Sequence, residues 1–315
     1  MTALSDKQLR KRRRLKTMHD IRADWMLYAL LIPGLVYVIL FHYIPMYGVT
    51  YAFREYTAVK GLGEWVGFRT FDKLLAKNAF QRAFENNILI SVEKLVCGFP
   101  VPIILSLMIN EIRSRYAKKL VQTAVILPNF ISWFIISGLM FALFNVTSGA
   151  IPGIIRAFNP SANIVNIMSD KQSIRALVLI SCVWQASGMG TVVYLAAITG
   201  IDQQLYEAAM IDGAGKWKQM WHITLATLRP TIIVLFIFRV GNVMNAGFDQ
   251  IFALSNDLVI SKIDIIDTYV YRIGIENAKF SEATAAGLAK SVIGLVLVLV
   301  TNWAAKRIDP DSGIM

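Results

Sequence analysis

Apolar residues come in runs too long for a soluble core. No Asp, Glu, Lys or Arg interrupts 25–53, 120–155 or 176–201, runs of 29, 36 and 26 residues. Roughly 20 helical residues cross a hydrocarbon layer of about 30 Å, so each run holds one span. Three further apolar stretches carry isolated charges: 87–110 with Glu93 and Lys94, 230–250 with Arg239, and 284–305 with Lys290. Each stays mostly apolar over a membrane length, so the pattern predicts an all-α integral membrane protein of six transmembrane helices. Pro33 with Gly34, Pro100 with Pro102, and Gly188 with Gly190 fall in or near these helices. Backbone groups freed there need partners on neighbouring helices, which predicts a kinked bundle rather than isolated anchors.

Composition agrees with the pattern. With 56% hydrophobic and 17% charged residues, ordinary soluble and disordered chains are excluded. The net charge of +11 reads first as topology. Segments 1–24, 111–119, 200–229 and 306–315 hold 17 Lys/Arg against 9 Asp/Glu, while the other three loops hold 12 against 11. That asymmetry predicts cytoplasmic N- and C-termini, with the basic segment 1–24 as a topogenic anchor rather than a nucleic-acid-binding arm. Cys97 and Cys182 lie inside apolar segments and imply no disulfide framework. His19, His42 and His222 are scattered, so neither a metal site nor a catalytic constellation is predicted. The organisation expected is a basic segment 1–24, a first span 25–53, an outer loop 54–85, a core of five spans 86–305 and a tail 306–315.

The segment 200–229 is far longer than a bare connection needs, and it is patterned. Asp202 is placed to cap a short helix on which Leu205, Ala208, Ala209 and Asp212 share a face, and Gly213 suits the left-handed position after it. Glu207 projects from a neighbouring face toward any basic partner. A second helix then presents Trp217, Met220, Trp221, Thr224 and Leu225. Periodicity alone leaves two readings, a partner-docking surface or an amphipathic helix on the lipid headgroups.

Glu207-Ala-Ala, Gly213, and Ile223 with Leu225 resemble the EAA loop of permease subunits in binding-protein-dependent ABC importers. The usual ending has a proline where Ala226 stands, which predicts a less rigid turn into the fifth span; Pro230 follows four residues later. The chain further resembles the polysaccharide-type branch of maltose-like sugar permeases in five ordered blocks. These are Leu31-Ile-Pro-Gly-Leu, Phe41-His-Tyr-Ile-Pro-Met-Tyr-Gly, Leu127-Pro-Asn-Phe-Ile-Ser-Trp, Tyr206-Glu-Ala-Ala-Met-Ile-Asp-Gly-Ala and Asp267-Thr-Tyr-Val-Tyr-Arg.

The resemblance implies a type I importer in a bacterial inner membrane. Such an importer has a second homologous permease, two ATP-binding cassette subunits, and an extracytoplasmic solute-binding protein that delivers oligosaccharide. ATP and magnesium would sit on the ATPase partners, since this chain has no Gly-x-x-x-x-Gly-Lys-Ser/Thr loop and binds no cofactor of its own. Leu205, Glu207, Ala208, Ala209, Asp212, Gly213, Trp217 and Trp221 would couple to the ATPase. Trp65, Phe68, Phe71, Phe80, Phe252, Tyr269 and Tyr271 in the 54–85 and 250–283 loops are candidates for binding-protein docking, or plain interfacial aromatics. Lys94, Arg239 and Lys290 are costly in lipid and should face a bundle interior or water. Together with Trp184, Gln185, Asn242 and Asn245 they would suit a sugar pathway. Arg239 could equally pair structurally, and Lys290 could snorkel. The three cations favour acidic, alginate-like oligosaccharides over neutral ones. A secondary sugar transporter would need midplane acids, and Glu93 is the only acid inside a predicted span once Asp249, next to the end of 230–250, is counted with the loop that follows.

Overall fold

The computed structural model describes residues 24–57 and 61–308. All of the basic segment except Asp24, and residues 309–315 of the tail, lie outside them. The chain divides into two units, Met1–Tyr51 and Ala52–Met315. In the first unit α1 (Trp25–Val38) runs on without a break through a π turn, Ile39–Tyr43, with no buried residue in either. Such an all-apolar surface is what lipid or another apolar chain covers.

The second unit opens with a hairpin, β1 (Arg54–Thr57) antiparallel to β2 (Gly61–Trp65), which corrects the all-α expectation locally. Helix α2 (Arg69–Leu75) follows, so the described residues of the 54–85 segment include a hairpin and a helix. Next come α3 (Asn78–Gly98) and α4 (Pro100–Asn110) as one span-length run, with Pro100 at a first helical position where its missing N–H costs little. The expected span 120–155 is instead a bent pair. Helix α5 (Arg115–Ile126) ends in a 3₁₀ turn, Leu127–Phe130, and α6 (Trp133–Phe144) leaves at 103° to it. Pro128 forces the turn, Ile131 is extended, and the Ser132 hydroxyl caps α6 by accepting from the Ile135 N–H at 3.4 Å.

Helices α7 (Ala150–Phe158) and α8 (Ile174–Thr199) precede the patterned segment. There α9 (Gln203–Ile211) is separate, but α10 (Lys216–Gln219) continues through a π turn, Met220–Thr224, into α11 (Leu225–Gly241). The second helix of the 200–229 segment is thus the start of the fifth span, and no turn forms at Ala226. That span also stops at Gly241, not Gln250. A turn over 242–247 leads to α12 (Phe248–Leu254), α13 (Ile260–Ile263) and α14 (Ile266–Tyr271), and α15 (Phe280–Ile308) closes the unit.

Two apolar clusters organise this unit. Ile90, Ile174, Val178, Ile251, Val259 and Ile263 join α3 and α8 to α12 and α13. Leu74, Phe80, Ala83, Tyr269 and Ala286 join α2 and α3 to α14 and α15. The 250–283 segment, expected as an outer loop, is therefore packed into the bundle. Phe80 and Tyr269 are buried, while Trp65 and Phe68 stay exposed.

Candidate functional site

The end of α11 carries the chemistry. Helix α15 is 29 residues long, about 43 Å, and Gly294 is its midpoint. Met244 packs at Gly294, and Val298 lies where a Cβ on Gly241 would come within 3.1 Å. Helix α11 therefore stops halfway along a full span, at the depth where unsatisfied backbone is most expensive. The turn is satisfied from outside itself. Asn87 Nδ2 donates to the Met244 carbonyl at 3.1 Å and Lys94 Nζ to the Ala246 carbonyl at 2.6 Å, both reaching across from α3. Gly247 takes φ +94°, a left-handed conformation that glycine adopts without strain.

A cavity of about 220 Å³ opens at this break. Its walls include Lys94, Trp133, Cys182, Gln185, Arg239, Asn242, Asn245 and Gln250. A second, of about 340 Å³, continues past Cys182, Ala186 and Arg239 toward Phe99, Pro102 and Tyr194. Arg239 stands between the two. It is exposed, and among the described residues no hydrogen bond or ion pair holds it. As the basic residue in the last turn of α11 it is favoured by the helix dipole, which partly explains its tolerance there. Asn242 Nδ2 donates to the Phe238 carbonyl at 3.0 Å, and Asn245 Nδ2 to Asn242 Oδ1 at 3.4 Å.

Of the sequence-predicted pathway residues, Lys94, Arg239, Asn242 and Asn245 meet at this cavity, with Gln185 beside them. Trp184 and Lys290 line neither cavity. Lys290 Nζ instead donates to Asp267 Oδ1 and Oδ2 at 2.6 and 2.8 Å. Trp133 and Gln250 were missed. Trp133 comes in only because the chain bends at Ser132, whereas the run Asn242, Asn245, Gly247, Gln250 was a legible turn signal inside a supposed span.

At the other end of α11 the short helix forms as the sequence suggests. Asp202 Oδ1 accepts from the Gln204 N–H at 3.0 Å. Gly213 takes φ +76°, and the Gly213 and Ala214 amides return to the carbonyls of Met210 and Ala209, a Schellman ending. The Tyr206 hydroxyl bonds Thr224 Oγ1 at 2.8 Å, fastening α9 to the helix that becomes α11. No residue of α9 is buried, and Leu205, Ile211, Trp217 and Trp221 are 50%, 87%, 80% and 65% exposed. Glu207, Ala208, Asp212 and Gly213 are exposed beside them and Ala209 is half-buried. This is a fixed apolar surface that none of the described residues covers.

Residues 98–313 match the family model described as binding-protein-dependent transport system inner membrane component. The protein LplB of Bacillus subtilis is 40% identical, with 94% of this chain and 93% of that protein covered. The polygalacturonan/rhamnogalacturonan transport system permease protein YteP of the same organism is 38% identical, covering 96% and 94%. A crystal structure of a bacterial ABC transporter involved in the import of the acidic polysaccharide alginate contains a similar chain. It superposes with a TM-score of 0.87 at 37% identity, over 93% of this chain and 99% of that one. The family match covers the break after Gly241, the α9 segment and the cavity lining from Gly98 onward, so this multi-pass membrane chain belongs to the binding-protein-dependent transport system inner membrane components, the permease subunits of ABC importers and not a family of enzymes.

Proposed function

We propose that this chain is one permease half of an importer for acidic oligosaccharides. Arg239 carries the reading: a guanidinium at mid-membrane depth, unpaired among the described residues and in a cavity to whose lining they contribute no carboxylate, is matched by a uronate carboxylate that it can hold bidentately. The relatives lend support, since YteP is named for polygalacturonan and rhamnogalacturonan and the superposing structure for alginate. A further crystal structure of the alginate transporter holds an alginate pentasaccharide-bound periplasmic protein, which supports delivery by an extracytoplasmic solute-binding protein. Helix α9 with Trp217 and Trp221 would dock on an ATPase subunit, and a second permease would complete the passage. On this reading both termini face the cytoplasm. Neutral oligosaccharides are the second reading, favoured by the amides of Gln185, Asn242 and Asn245 and by Trp133, which suit hydroxyls and sugar faces.

The test is ATP hydrolysis by the complex reconstituted with its partner permease, ATPase subunits and binding protein. Uronic-acid oligomers should stimulate it more than neutral oligomers of equal length, and Arg239→Gln should raise the apparent KM for the acidic series. Equal stimulation by both series, or an Arg239→Gln transporter identical to wild type, would refute the acidic reading.

A further inference from the structure

A lysine ammonium inside a helix bundle ordinarily pairs with a carboxylate or snorkels to water. Lys94 does neither. It is 8% exposed, and its Nζ donates to two neutral acceptors, the Ala246 carbonyl at 2.6 Å and Gln250 Oε1 at 2.5 Å. Among the described residues no carboxylate stands within ion-pair distance of it. Gln250 cannot swing away, because its Nε2 donates to the Val178 carbonyl at 2.6 Å and to Ser181 Oγ at 2.9 Å. A Cβ on Gly247 would lie 3.2 Å from Nζ, so the backbone of the turn passes close to the ammonium. The ammonium is thus clamped at the helix break, on the wall of the 220 Å³ cavity, with its charge unneutralised.

We propose that Lys94 is a specificity-determining residue, whose fixed charge makes the passage select anionic over neutral sugar. The inference rests on reading the Arg239 cavity as the sugar's path. Two of the three ammonium protons are committed to the break, so one N–H remains for a ligand oxygen. Because Lys94 is buried its charge is little screened, and it also acts on a carboxylate held by Arg239 without touching it. Arg239, the exposed member of the pair, supplies the contact; Lys94 supplies a potential that does not move.

Cys182 lines both cavities and reports that potential directly. In the assembled transporter carrying Cys97→Ser, the rates of Cys182 modification by anionic sulfonatoethyl and cationic trimethylammonioethyl thiosulfonates are compared by intact mass of this chain. Their ratio cancels any change in thiol ionisation, which is common to both reagents. Lys94→Met should lower the anionic-to-cationic ratio on the order of tenfold, and Lys94→Arg should retain it. If Lys94→Met does not assemble, Lys94→Met with Gln250→Leu carries the test, since removing both members of a buried polar pair is better tolerated than removing one. A ratio within about twofold of wild type overturns the proposal. So does failure of both variants to assemble, which would make Lys94 purely structural. No sugar enters this measurement, so it stands or falls apart from the acidic-substrate reading, which fails instead on equal stimulation by neutral oligomers.

Discussion

Lys290→Met should destabilise the transporter without altering its selectivity. The Lys290 ammonium bridges both oxygens of Asp267, and the two side chains are 14% and 27% exposed. Breaking a fully buried pair by removing one partner costs about 3–5 kcal/mol, and an exposed pair is worth about 0–1 kcal/mol. At this partial burial, with lipid rather than water around the bundle, about 2 kcal/mol is the reasonable size. The penalty is chiefly that of the carboxylate left behind, so Asp267→Asn added to Lys290→Met should recover most of it. Single variants should lower the apparent melting midpoint of the detergent-solubilised complex by on the order of 5 °C at a fixed heating rate. The double-mutant cycle should give a coupling energy of about 2 kcal/mol. Additive losses would refute the pairing. A Lys290→Met variant of unchanged stability but altered apparent KM for acidic oligomers would put Lys290 back on the sugar's path.

Other outcomes follow from the opposite end of α11. Gly213→Trp forces a bulky residue into φ +76°, at a cost of about 1–2 kcal/mol, and should leave membrane insertion intact while the ATPase subunit no longer copurifies. Glu207→Lys, at an exposed position, should leave the melting midpoint unchanged within about 1 °C and abolish uptake. The purified chain should hydrolyse no ATP until it is assembled with its ATPase subunits. Two glycines inserted after Ile223, in the π turn, should preserve assembly and basal ATP hydrolysis but uncouple hydrolysis from uptake in proteoliposomes.

What the sequence showed well was set by lipid. Charge-free runs have one solution in a bilayer, so the first span and α8 fall close to their expected limits. The ends of α9 were legible too, because Asp202 and Gly213 act on their own neighbours. What failed was non-local. Lys290 looked free because Asp267, 23 residues upstream, sat in a segment read as an outer loop, yet that segment dips into the bundle. Lys94 looked like a free charge because its acceptors are a carbonyl exposed only where α11 breaks and an amide beyond the break. Trp184 and Gln185 offer an aromatic and an amide group on one span, but neighbours along a helix differ by about 100° of rotation, and Cys182, Gln185 and Ala186 are the residues of α8 that line the first cavity. The hairpin was too short to signal itself beside so much helix.

The continuity of α10 through α11 gives the proposed function its mechanical sense. From Lys216 to Gly241 there are 26 residues in one helical run, about 39 Å, with Trp217 at one end and Arg239 at the other. Tyr206 bonded to Thr224 ties the short α9 helix to the foot of that run, so a partner that grips α9 also grips the rod. Its head is different. The break after Gly241 frees the rod from the rest of the span, and the loosened turn is held by side chains of α3 rather than by further helix. A tilt imposed at the foot would then move Arg239 against a frame in which Lys94, Asn87 and Gln250 stay fixed to α3 and α8. An unbroken helix would carry the whole turn with it, and a foot joined by a flexible loop would transmit nothing. Rigid below and interrupted at mid-depth, α11 has the form needed to change how one cation faces the passage while leaving the other in place.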